Sequence, residues 1–249
     1  MMGSGTSSGV PVIGCECEVC TSTVEENKRL RAGLKIELGD QVILVDTPPD
    51  LRQQALRFGV PRVDAIMFTH AHADHVFGLD DVRIFNFRQR ASIPCYGSQT
   101  TLEALRRIFA YVFEPGQEGG GKPRLELIEI EDELDLFGHR FQTVPVMHGS
   151  LPVNGYRVGP FAYVTDCNLI PEESFERLQD LEVLVLGALR YREHPTHFSI
   201  AQAVEVAGRI GAGRTYFTHL AHEVDHHAPQ VELPSNVDFG YDGLVVELD

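Results

Sequence analysis

Apolar and polar positions along the chain follow two periods, and the switches between them predict its elements. In "LKIEL-GD-QVILVD" two strand-like runs flank a Gly-Asp pair, the pattern of a tight hairpin. "PDLRQQALRFG" has helical spacing and a glycine stop. Strand "DAIMFTH" follows, then a turn crowded with titratable side chains, then a helix near "GLDDVRIFNFRQR". Strand "IPCYG" and a helix across "SQTTLEALRRIFAYVF" come next, and "PGQEGGGKP" reads as a mobile loop, more a connector than a pocket cover. Between residues 124 and 166 strand patterns dominate: "RLELIEI", "RFQTVPVMH", "NGYRV" and "FAYVTD". Alternation then returns as helix "PEESFERLQDL", strand "VLVLGAL", helix "SIAQAVEVAGRI" and strand "RTYFTHL". Strand-rich halves bearing helices suggest an αββα sandwich, although periodicity alone does not choose it over other α/β layouts.

Composition narrows the class. The 249 residues suffice for one large domain, and with no repeat or linker we expect 1–249 to form a single one. No run approaches the roughly 18 apolar residues of a membrane span. The opening "MMGSGTSSGVPVIG" shows neither a charged leader nor an apolar h-region, so a cytoplasmic protein without a membrane partner is expected. The formal charge is −15, from 21 Lys and Arg against 36 Asp and Glu. Neutralising phosphates supplies most of the affinity for long nucleic acid, so a small substrate is expected instead.

The candidate chemistry is concentrated. "FTHAHADHVFG" places His70, His72, Asp74 and His75 in six positions directly after an apolar strand. Four such groups at a strand end are costly unless something holds them together, and a divalent metal uses these ligand types. Cys15, Cys17 and Cys20 in "CECEVC" have the close spacing of a metal site rather than of a disulfide framework, the plain alternative being a reduced cysteine cluster. Cys95 and Cys167 stand alone, as packing residues do. Several strands end in a potential ligand: "DAIMFTH" at His70, "TVPVMH" at His148, "FAYVTD" at Asp166 and "TYFTH" at His219. Each alone could be a packed or surface group, but their common placement points to one functional end.

"HAHADH", followed at a distance by His148, Asp166 and His219, resembles the metallo-β-lactamase superfamily over nearly the whole chain. The resemblance implies an αββα sandwich with two divalent ions, zinc or manganese. One would be held by His70, His72 and His148, the other by Asp74, His75 and His219, with Asp166 bridging. Within the superfamily the likeness is strongest to PhnP-type phosphodiesterases, with ribonuclease Z more distant. It rests on "GSGTSSGVPVIGCECEVC", on His222 in "THLAH", and on "GYDGLVVEL", which looks like the family's closing strand. It implies one structural zinc on Cys15, Cys17, Cys20 and His222. The family also carries a first strand ahead of "GSGTSSG", where this chain has only two methionines.

The implied activity is hydrolysis of small phosphodiesters, including cyclic phosphates or cyclic nucleotides, by water activated between two ions. Asp74 would orient that water besides binding metal. His197 in "HPTHFSI" matches a non-ligand catalytic histidine of the family and would protonate the leaving group, unless it only sits beside a helix start capped by Ser199. The alternatives are another ester hydrolase, acting on thioesters or lactones, and a non-hydrolytic protein of the PqqB type. A homodimer is left open.

Overall fold

In the computed structural model, which describes residues 1–115 and 121–248, the N-terminal segment carries a short α-helix, α1 (Glu18–Thr21), and a 3-10 turn at Glu25–Asn27. The chain divides into two units: Gly33–Glu131 with Met2, and Met1 with Gly3–Ala32 and the chain from Asp132 onward.

The unit around Gly33–Glu131 begins with the expected hairpin, β1 (Leu34–Leu38) and β2 (Gln41–Val45), turned at Gly39 with φ 58°. After α2 (Leu51–Arg57) come β3 (Ala65–Met67), α3 (Ala73–Val76), α4 (Arg83–Gln89), β4 (Ile93–Gly97), α5 (Gln99–Ile108), α6 (Ala110–Phe113) and β5 (Leu125–Glu129). The sheet order is β1-β2-β3-β4-β5, antiparallel at the hairpin and parallel beyond it. Val42–Val45 and Ala65–Met67 are buried throughout, the unbroken apolar signature of parallel strands. Leu44, Ile66, Phe68, Val76 and Leu105 belong to its core. The single helix expected over "SQTTLEALRRIFAYVF" is broken at Phe109 (φ −108°, ψ 41°). Its second half is aromatic and β-branched, weak in helix propensity, and the break lets both Phe109 and Val112 join the core.

The other unit has the sheet order β12-β11-β10-β9-β8-β7-β6. Its strands are β6 (Glu133–Leu136), β7 (His139–His148), β8 (Leu151–Val158), β9 (Phe161–Val164), β10 (Val183–Gly187), β11 (Arg214–Thr218) and β12 (Val237–Phe239). The first four form an antiparallel meander; the pairs from β9 to β12 are parallel. Helices α7 (Glu172–Glu176) and α8 (Ile200–Ile210) complete it, with Val144, Val164, Leu186, Ile200 and Phe217 in its core. Ser199 and Gln202 form a reciprocal capping box at the start of α8, so the expected N-cap is in place.

Two expectations are corrected in this unit. Strand β6 was not expected, because its hairpin turns through Phe137 (φ 54°) and Gly138 (φ 81°), without the Asn-Gly or Asp-Gly pair that signals such a turn. The closing strand is Val237–Phe239, ahead of "GYDGLVVEL"; residues 240–248 form no strand, and Val245 is 76% exposed. Most of the Gly-rich run "PGQEGGGKP" lies outside the described residues. Among the described residues no helix is long and apolar enough to cross a membrane.

Candidate metal centres

Beyond β3 the chain leaves the sheet through Phe68 and Thr69 into the histidine-rich turn. His72 stands at the N-cap of α3, whose single turn carries Asp74 and His75. His70 and His75 are buried, Asp74 half-buried and His72 exposed. The His70 ring lies 4.5 Å from that of His72 and 4.2 Å from that of His75. His70 Nε2 is 3.0 Å from His72 Nδ1, and His75 Nε2 is 3.4 Å from Asp74 Oδ2.

One residue that the sequence reading passed over orders this group. Asp46, fully buried at the end of β2, accepts from Thr69 N (2.9 Å), Thr69 Oγ1 (2.8 Å) and His75 Nδ1 (2.7 Å). The single hydroxyl proton of Thr69 is thereby committed, so its oxygen accepts from His70 Nδ1 at 3.0 Å. Both His70 and His75 are therefore protonated on Nδ1 and carry a lone pair on Nε2. That is the tautomer a metal ligand needs, and the outer partner that fixes it is usually a carboxylate or carbonyl. Burial pushes the Asp46 carboxyl up from its ordinary range, against the pull of His75 and Thr69. Asp46 ends the run "QVILVD" just as the other candidates end theirs, so the strand-end signal was present.

The unit from Asp132 onward carries the remaining candidates. His148 closes β7, Asp166 follows β9, His219 follows β11, and His197 lies between β10 and α8. His148 Nδ1 donates to Thr196 O at 2.8 Å, which again leaves the lone pair on Nε2, the tautomer a metal ligand needs. His219 Nε2 lies 3.2 Å from Asp166 Oδ1, and Thr165 Oγ1 donates to that same oxygen at 2.8 Å. Gly187 makes room for this turn, since a Cβ there would stand 2.9 Å from Asp166 N. The His197 ring stacks on His219 at 4.9 Å, with His148 at 4.6 Å and His194 at 5.1 Å. Donor atoms of His148, Asp166 and His197 lie within 4.8 Å of one another, so His197 has the reach of a ligand as well as of a proton donor. Burial, then His219, pulls His197 down to about 3, so its imidazole is neutral at neutral pH. His194, for which the sequence offered no role, belongs to the same imidazole group.

The cysteine cluster is assembled within the same unit. Sγ of Cys15, Cys17 and Cys20 lie 3.3, 3.4 and 3.6 Å from His222 Nδ1. Zn–S of about 2.3 Å and Zn–N of about 2.0–2.1 Å at a tetrahedral angle put S and N about 3.5 Å apart, so the four donors have the spacing of a closed zinc shell. The backbone N–H of Cys20, then His222 and Cys15, pulls the Cys17 thiol down to about 6, while burial pushes Cys20 up to about 11. Cys95 and Cys167 are free and fully buried, as packing residues are.

Three comparisons bear on this geometry. The profile of the beta-lactamase superfamily domain matches residues 41–220. The chain belongs to the metallo-β-lactamase superfamily. The crystal structure of a diphosphatase from the PhnP family superposes with a TM-score of 0.93 at 40% identity, covering 100% of this chain and 96% of that one. This superfamily member therefore has the expected α/β fold class, mixed sheets flanked by helices. An octanoyltransferase of Porphyromonas gingivalis is 39% identical across 100% of this chain, yet the chain spans only 51% of its length. A ribonuclease Z of Methanopyrus kandleri is 26% identical over 81% of this chain and 85% of its own. The chain thus carries the metallo-β-lactamase fold, and among its described residues His, Asp and Cys groups cluster in sets that could hold metal ions.

Proposed function

We propose that this superfamily member hydrolyses small phosphodiesters, cyclic phosphates or cyclic nucleotides among them, with two divalent ions, zinc or manganese. The proposed ligands are His70, His72 and His148 for one ion and Asp74, His75 and His219 for the other, with Asp166 shared. Bound there, such ions lower the pKa of water and polarise a phosphoryl oxygen. The chain's own part is to hold the ligands in the required state. Asp46 and Thr69 keep His70 and His75 protonated on Nδ1, and Thr196 O does the same for His148. Asp74 and Asp166 present carboxylate oxygens that also orient the attacking water. His197, neutral until substrate binds, gains basicity from an anionic phosphoryl group and then carries a proton to the leaving oxygen.

The observation that carries this reading is the set of three histidines whose hydrogen bonds all leave Nε2 free of a proton. Kinship to a diphosphatase of the PhnP family supports phosphorus over carbon as the centre attacked. The test is turnover of bis-p-nitrophenyl phosphate by metal-loaded protein, alongside metal content by mass spectrometry. Two bound catalytic ions without turnover of any phosphodiester would sink the reading.

A second reading, hydrolysis of acyl esters or thioesters on the same ligands, is favoured by the likeness to the Porphyromonas gingivalis octanoyltransferase. Because about half of that protein lies beyond the match, its acyl transfer fits the unmatched half as well. Octanoyl thioester cleavage faster than diester cleavage would favour this second reading. For the diesterase we further propose a cytoplasmic setting and a structural zinc on Cys15, Cys17, Cys20 and His222.

A further inference from the structure

Asn168 follows Asp166 by two residues, and nothing in the proposed reaction uses it. Its carboxamide nevertheless joins two other site-bearing loops. Oδ1 accepts from Gly149 N at 2.7 Å, directly after His148. Nδ2 donates to Pro195 O at 3.1 Å, two residues before His197. The backbone on either side strengthens both ties. Asn168 N donates to Met147 O and Met147 N to Leu169 O, each at 2.9 Å, while Phe198 N donates to Cys167 O at 2.8 Å.

Asparagine suits this place because one short side chain offers an acceptor and a donor side by side. Asp would lack the donor, and Ala both groups. The loops it joins are in close contact: Gly149, at φ 63°, would place a Cβ 2.9 Å from Thr196 Cγ2. Thr196 is also the residue whose carbonyl accepts from His148 Nδ1. The Pro195 tie therefore sits one peptide from the group that sets the His148 tautomer and two residues from His197.

We infer that Asn168 is a positioning residue that holds the Gly149 turn and the Pro195–His197 loop in register, fixing His148 as a ligand and His197 at the leaving group. The inference rests on the phosphodiesterase reading for the roles of those two histidines, but its geometry does not.

Two variants separate the ties. Asn168→Asp keeps an oxygen for Gly149 N and sets a second oxygen against Pro195 O, so only the loop of His197 is released. Asn168→Ala releases both. Turnover is followed on methyl p-nitrophenyl phosphate and methyl phenyl phosphate, whose leaving groups differ in their need for a proton. Metal binding is followed separately, by the visible spectrum during Co²⁺ titration of protein whose cysteine cluster retains zinc. In Asn168→Asp we expect loss on the phenyl ester of about 10-fold or more and little loss on the nitrophenyl ester. Its Co²⁺ binding is expected to weaken less than in Asn168→Ala, because Gly149 N keeps its acceptor while the loop of Thr196 is loosened. In Asn168→Ala we expect Co²⁺ affinity to fall about 10-fold as well, with a changed spectrum. Equal losses on both esters in the Asp variant, or no loss on either, would overturn the tie to His197. Parental Co²⁺ binding in a folded Ala variant would overturn the tie to His148; should that variant not fold, the Asp variant decides alone. Should the parent turn over neither ester, the phosphodiesterase reading fails, while the Co²⁺ titration still decides the positioning of His148.

Discussion

Replacing Asp46 by asparagine tests whether one buried carboxylate sets the chemistry of two histidines. The carboxylate accepts three hydrogen bonds, at 2.9, 2.8 and 2.7 Å, from Thr69 N, Thr69 Oγ1 and His75 Nδ1. With Asn, the oxygen serves Thr69 N and the amide nitrogen faces the other two groups. The Thr69 hydroxyl then has to accept from that nitrogen and turn its proton toward His70 Nδ1. His75 Nδ1 has to accept as well. Both rings are driven to the tautomer protonated on Nε2, which cannot bind metal there. Outer partners of this kind are worth about 10–100-fold in metal affinity, or about 1.4–2.7 kcal/mol, for each histidine. The metal-free fold should barely change, because volume is conserved and every polar group still finds a partner. Asp46→Ala differs, since it strands Thr69 N and His75 Nδ1 in the interior at about 1–3 kcal/mol per group. Metal affinity is read by competition with a chromogenic chelator, and metal-free stability by denaturant unfolding. The reasoning fails if Asp46→Asn binds metal like the parent. It also fails if Asp46→Asn and Asp46→Ala lose equal metal-free stability.

The cysteine cluster is tested by Cys17→Ser, expected to lower both the melting temperature and the zinc content by about one ion per chain; unchanged values in both would count against a structural zinc. His197→Ala should keep its metals yet lose about 10²–10⁴-fold on poor leaving groups and much less on p-nitrophenolate. Loss of metal in that variant would make His197 a ligand, and equal losses on both leaving groups would remove the acid role. Precursor tRNA should be a poor substrate beside small diesters, given the net charge of −15; efficient tRNA cleavage with weak diesterase activity would overturn the size argument.

Much of the fold could be read because its signals are local. Gly39 between two strand-like runs specifies a hairpin, and Ser199 with Gln202 specifies a helix start, whatever surrounds them. What could not be read depends on tertiary context. The Phe137-Gly138 turn puts a bulky residue into the left-handed region, and no propensity anticipates that. Arg29, in the basic run "NKRLR", looks like a surface charge. It is instead 1% exposed, donating to Ala221 O and Asn27 Oδ1 beside the turn that carries His222. Its burial pulls it down to about 10, and nothing in its neighbours' types reports it.

The candidate site shows the same division. The ligand types and their order were plain in "HAHADH" and at the strand ends, since that chemistry needs those residues whatever the backbone does. The backbone that aims them was hidden. Asp46, Asp166 and His219 all follow buried strands, and all three adopt positive φ: 65°, 51° and 60°. Sparsely populated conformations of this kind cost about 1–3 kcal/mol each and persist only where the surroundings impose them. The left-handed turn lets the chain leave the sheet at once, bringing the side chain to the strand's end rather than onto one face. Asp and His tolerate that region better than most non-glycine residues, so the residues that can ligate are also among those that can make the turn. A strand ending in Asp or His is therefore a double signal, of chemistry and of backbone. Applied evenly, it selects Asp46 from "QVILVD" as readily as His219 from "TYFTH", and Asp46 is the residue that the motif alone leaves out.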